Sequence, residues 1–272
     1  MLPFRDNILL ARRPLVTVAL VTASVAVYAA LVGGGGDFRN GPSAGAAARR
    51  TLVPYELTHP RAACWLGPPR HAVATASRSG RTSAADAILC GERPVRAGAE
   101  RLSRPPVLEA ALASLLAYGS LLPILAGLAA LAVLGPTLES TLGHGRYALL
   151  YLAGGAVALG ARLAASPGSP APVLVAPAAV AAILAGYLAA HPRARVLALV
   201  PVPFFVTIVE VPAPTLIGLW LAAQVYAQLA GLAGPAHPGS AAAFAGLAAA
   251  IACGALSIRL RARRAHPAGA PA

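Results

Sequence analysis

Six apolar runs, each near the length that carries a helix across a bilayer, constrain this chain more than any single motif. They cover residues 15–32, 107–134, 147–165, 172–190, 215–233 and 241–258, against the roughly 20 residues that a hydrocarbon core demands. Apolar residues make up 57% of the 272, charged residues 11%, and the mean hydropathy is +0.68. Such values belong to a polytopic membrane protein, not to a water-soluble core. The first run follows a basic tail, as in a secretory signal. Its length of about 18 residues exceeds the usual 7 to 15 of a signal's apolar region, so it reads as an uncleaved first helix.

Formal net charge is +13, and every basic residue is arginine. The arginines do not form one patch, which argues against nucleic acid as a partner. Arg5, Arg12 and Arg13 precede the first run, Arg146 follows the second, Arg193 and Arg195 follow the fourth, and Arg259, Arg261, Arg263 and Arg264 follow the last. The short connections at 166–172 and 234–240 carry none. By the positive-inside rule this pattern puts both termini in the cytoplasm and gives an even number of crossings. Residues 191–214 hold an apolar stretch long enough to suggest a seventh span, but Pro201 and Pro203 interrupt it and Glu210 closes it. An interfacial loop with strand-like alternation is expected there.

Between the first two runs lies a segment, 33–105, rich in Gly, Pro, Ser and Arg, which this topology places outside. It contains Cys64 and Cys90. An oxidising compartment would let them pair and close a loop of about 26 residues. Cys253, within the last run, reads as a small core residue. The scattered cysteines and histidines suggest no metal site, and Gly33–Gly36 lacks the strand, helix and lysine of a phosphate-binding loop, so no cofactor is expected.

Several stretches resemble the rhomboid family of intramembrane serine proteases. MLPFRDN followed by RRPLVTVAL is similar to the family's opening, and YELTHP to part of its outer loop. Gly135-Pro-x-x-Glu139-x-x-x-Gly143 resembles its turn motif, and HPRARVLALVPVPFFVTIVEVPAPTLIGLWLAAQ the passage through its fifth helix. The resemblance implies an all-α, six-transmembrane-helix rhomboid-like bundle. Its membrane domain would cover 15–258 and include the long outer loop 33–105, with cytoplasmic tails at 1–14 and 259–272.

In that family a serine at the start of the fourth helix attacks the peptide bond and a histidine on the sixth takes its proton. A histidine and an asparagine on the second helix help to hold the oxyanion. Laid on this chain without gaps, the serine falls on Pro177 and the second-helix pair on Pro123 and Gly127. The base falls on Gly239, or on His237 if extra residues are admitted. Proline has neither hydroxyl nor backbone N–H, so Pro177 removes the nucleophile and one oxyanion donor together. A histidine without a nucleophile has nothing to activate.

The turn residues Gly135, Glu139, Gly143 and Arg146 are expected to be structural, with Glu139 bonding backbone or Arg146. Arg162, near the outer end of the third helix, is expected to snorkel to the headgroups. Ser114, Ser120, Thr215 and Ser240 are hydroxyls outside the motif's nucleophile position.

The expected function is a rhomboid-type pseudoprotease that binds transmembrane helices of client proteins within the lipid bilayer, in a bacterial plasma membrane. The alternatives are an active intramembrane serine protease with a shifted nucleophile and a small transporter. The scarcity of ionisable residues within the spans disfavours the transporter.

Overall fold

The computed structural model describes residues 2–6, 13–61, 63–66, 88–91, 100–103, 105–202, 205–229 and 251–252, with backbone alone at 2–6, 197–202, 205–209 and 227–229. Among these, three helices are long and apolar enough to cross a membrane: α1 (Leu15–Gly33), α5 (Leu121–Leu142) and α6 (His144–Ala165). Three shorter apolar helices, α4 (Val107–Leu116), α7 (Ala176–Ala190) and α8 (Ala213–Leu229), accompany them among the described residues. The run at 241–258 lies almost wholly outside the described residues.

Helix α7 is the bundle's centre. Every side chain from Ala178 to Tyr187 is buried, and most are alanine, glycine or valine. Between membrane helices, where lipid is as apolar as leucine, small side chains favour association by letting backbones come close. Gly154 and Gly155 on α6 show this: a Cβ on Gly154 would collide with that of Ala182, and one on Gly155 would stand 2.8 Å from Leu115. Tyr147, Tyr151 and Tyr187 fill the larger gaps.

The structure corrects the second span. The run at 107–134 is not one helix: α4 (Val107–Leu116) stops, Ala117 turns to extended backbone, and α5 begins only at Leu121 and runs on to Leu142. Gly119 and Ser120 sit at this break, and both residue types favour turns and caps over helix interiors. Pro123 therefore stands in the first turn of α5, where a missing N–H costs little.

Helices α5 and α6 meet at Gly143, whose φ of 80° is a left-handed value that glycine adopts without Cβ strain. The bundle thus has two ends. At the Glu139 end, α5 leaves, α6 starts and α1 starts. The loop end carries the long connection between α1 and α4.

That connection is not wholly irregular. It contains a hairpin of β2 (Gly36–Asp37) and β3 (Gly41–Pro42), short helices α2 (Ala44–Ala48) and α3 (Pro54–Thr58), and a sheet in the order β5-β4-β6. The sheet's strands are β4 (Ala63–Leu66), β5 (Ile88–Gly91) and β6 (Glu100–Arg101). Cys64 faces Cys90 across β4 and β5, and their sulfurs are bonded. A second three-stranded sheet, β1-β7-β8, stands at the Glu139 end. It pairs β1 (Leu2–Asp6) with β7 (Arg195–Val202), and β7 with β8 (Phe205–Pro212), both antiparallel. The stretch expected to alternate like a strand is this hairpin.

Candidate functional site

At the loop end, α5 and α7 start side by side. Ile124 and Ala176, the chain neighbours of Pro123 and Pro177, share one packed cluster with Tyr28, Val32 and Tyr118. The fold thus brings together the positions that sequence alignment selects on separate helices.

Pro177 is the second residue of α7 and partly buried. Of the amides around it, Val175 donates to the Ser114 carbonyl at 2.9 Å, and Ala178 and Ala179 both donate to the Val175 carbonyl at 3.0 Å. Proline contributes no N–H. The helix start is therefore nearly closed as a donor set, with its amides spent on its own backbone and on α4.

Gly127 explains what fills the space on α5. A Cβ there would lie 2.5 Å from the Tyr118 hydroxyl, 2.9 Å from Cε1 and 3.0 Å from Cζ of the same ring. The Tyr118 ring occupies the volume that an asparagine at 127 would need. Its hydroxyl is fully buried and has no hydrogen-bond partner among the described residues. Tyr118 comes from the break between α4 and α5, which a continuous helix over 107–134 would have hidden.

Ser114, fully buried on α4, is tied to this region through its backbone. Its Oγ accepts the Leu52 amide at 3.0 Å and its carbonyl accepts Val175, while Val173 donates to the Leu52 carbonyl at 2.8 Å. The outer loop is thereby stitched to α4 and to the strand-like lead into α7, over the start of that helix. Ser114 is a fastener. Ser120 is the buried N-cap residue of α5, and Thr215 is exposed on α8.

No described histidine reaches Ser114. His59 stacks on Tyr55 in the outer loop, and His191 follows the far end of α7, with Nε2 3.2 Å from Thr141 Oγ1. His144 binds Glu139 at the other end of the bundle. His237, Gly239 and Ser240 lie outside the described residues, as does Cys253.

The Glu139 end holds the polar centre of the bundle. Glu139 is fully buried, and its carboxylate accepts the amides of Val16 and Thr17 at 2.8 Å, the Thr17 hydroxyl at 2.7 Å and the His144 ring nitrogen at 2.6 Å. A carboxylate on one helix thus caps the N-terminus of another, satisfying amides that α1 cannot pair itself. Pro14, which precedes α1, supplies no side-chain cap. Of the two partners expected for Glu139, backbone or Arg146, the structure shows backbone: Arg146 is exposed on α6 and takes no part, and the half-buried His144 at the start of that helix reaches the carboxylate instead. Gly135 makes room for this cluster, since a Cβ would lie 2.7 Å from the Tyr147 hydroxyl and 3.0 Å from Thr17.

Arg162 also departs from expectation. It is 5% exposed, within the last turn of α6 and one turn beyond the buried Ala158. A snorkelling arginine would show its head at the rim; this one is enclosed by protein. Among the described residues no group of three or more His, Cys, Asp or Glu could hold a metal ion.

The model of the Rhomboid domain matches residues 108–260, more than half of the chain. The chain belongs to the rhomboid family. The match begins on α4 and takes in α5, Gly143, α6, α7, the β7–β8 hairpin and α8, with both proline positions inside it. The comparison with curated proteins found no match, and neither did the comparison with solved structures. Family membership and the apolar helices together make this an integral membrane protein of helical type.

Proposed function

We propose that this rhomboid protein is a pseudoprotease that holds transmembrane segments of client proteins without cutting them. The observation that carries the reading is the pairing of Pro177 with a filled Gly127 site. The position where the family's serine would stand has no hydroxyl, and the tyrosine ring stands where a donor side chain would project. Serine catalysis needs a base-activated hydroxyl and donors aimed at the developing oxyanion. From Val173 to Tyr187 there is no serine, threonine or cysteine.

Client binding follows from what the bundle keeps. Leu122 and Leu125 on α5 and Leu219 and Tyr226 on α8 are exposed apolar residues, and the Trp220 indole donates to the Ala126 carbonyl at 3.1 Å, tying the two helices along this seam. Helix recognition in lipid works by close packing and a few polar contacts, and needs no chemistry. The arginine distribution favours a cytoplasmic Glu139 end.

A fluorophosphonate serine probe applied to the reconstituted full chain tests the first half: no covalent labelling is expected. Labelling lost in Ser114→Ala would support the shifted-nucleophile protease instead. Photocrosslinkers placed at Leu122 and Leu219 test the second half, with adducts to single-pass client segments expected. Adducts to lipid alone would refute client binding.

A further inference from the structure

Gln224 is a polar side chain buried within an apolar stretch of α8, residues 219–227, and it is 6% exposed. Its carboxamide carries two N–H donors and a carbonyl acceptor. Among the described residues none of these groups has a hydrogen-bond partner. An amide withdrawn from water without a partner is costly, and membrane bundles bury Gln and Asn where another helix answers them. The amide calls for such an answer.

Helical spacing puts Gln224 on the face that carries Trp220 one turn earlier and Ile217 two turns earlier. Ile217 is buried in the main core with residues of α5 and α7, and the Trp220 indole donates to the Ala126 carbonyl, so this face looks into the bundle. Helix α8 starts at the Glu139 end, where the Ala213 amide donates to the Ala194 carbonyl, and runs antiparallel to α5. One turn past Trp220, about 6 Å further on, Gln224 is level with the first turn of α5, where Pro123 stands. Ile124, next to Pro123, packs with Ala176 at the start of α7. The amide is therefore at the depth where the family's serine would stand. Beyond Leu221 no described residue of α8 joins a packed apolar cluster. The seam between α5 and α8 thus has apolar packing as far as Trp220 and Leu221, and an unpaired amide above them.

We infer that Gln224 is the polar reading point of the client groove and selects transmembrane helices that carry a carboxamide side chain, asparagine or glutamine, at the depth of Pro123. Donor and acceptor on both sides make the pair self-complementary: each amide gives one N–H and accepts one on its carbonyl. An all-apolar helix leaves Gln224 unanswered, and a carboxylate brings a charge into hydrocarbon. The inference rests on the proposed holding of client segments and names the client that the groove prefers.

The test uses the full chain in phosphatidylcholine nanodiscs, with a photocrosslinker at the exposed Leu219. It is offered synthetic single-pass leucine-alanine helices: one with asparagine at the matching depth, one with asparagine deeper in the span, and one with none. Capture of the first is expected to exceed that of the other two about fivefold, the measure of one hydrogen-bonded pair between membrane helices. Gln224→Leu is expected to bring all three to the same level. Because the asparagine is varied on the client, the preference is read without any change at Gln224. Equal capture of the three helices by the parent chain would overturn the role of the amide and leave client holding standing, whereas capture of none would overturn both. A preference that survives Gln224→Leu would also overturn it. Adducts between two copies of the chain that vanish in Gln224→Leu would assign the amide to self-association and refute the client pairing.

Discussion

Replacing Gly127 with alanine tests whether Tyr118 really fills the vacated donor site. In an unobstructed helix interior the change would stabilise by ~1 kcal/mol through backbone entropy. Here the new methyl would stand 2.5 Å from the Tyr118 hydroxyl and within 3.0 Å of two ring carbons. Overpacking of that kind costs ~1–3 kcal/mol, so net destabilisation is expected. Tyr118→Phe alone removes a buried hydroxyl that lacks a partner, which relieves a penalty of ~1–3 kcal/mol, so it should stabilise. The double variant should be better than the sum of the two by ~1 kcal/mol, since the phenylalanine lacks the closest atom while its ring carbons still press on the methyl. Reversible unfolding in mixed dodecylmaltoside and SDS micelles measures all four corners of the cycle. Additivity of the two changes, or a Gly127→Ala chain more stable than the parent, would refute the placement of Tyr118.

Other consequences follow from the same geometry. Pro177→Ser should leave the chain unlabelled by a serine probe, because the oxyanion donors and the base are not restored; labelling would show that the proline was the sole defect. Glu139→Gln should destabilise by ~3–5 kcal/mol, the cost of breaking a buried charged cluster, and should raise amide exchange at Val16 and Thr17, whereas Arg146→Gln should change neither. Reduction of Cys64–Cys90 should remove ~3.5 kcal/mol by the chain-entropy relation for a loop of this length, seen as earlier unfolding of the outer loop with reductant. Gly143→Ala should cost ~1–2 kcal/mol, since its φ lies in the left-handed region, and thermal scans of both proteins in detergent would register it.

What the sequence alone determined here is chemistry and solvent. Run lengths and composition select a membrane, because no water-soluble core needs such stretches. The absence of a hydroxyl at Pro177 is equally plain in the letters. Hydrophobicity could not place the break inside 107–134, since Ala117 and Tyr118 are as apolar as their neighbours; only the Gly119-Ser120 pair hinted at it. For Glu139 the letters left backbone and Arg146 both open; the carboxylate is met by backbone, the amides of α1 more than a hundred residues away in sequence, and by His144, which the letters did not single out. Arg162 looked like a snorkelling rim residue because its depth along α6 was legible and its facing was not. Local sequence sets which residues a helix contains, and tertiary packing sets which way each one points. That is why Tyr118, in the space beside Gly127, could be found only in three dimensions.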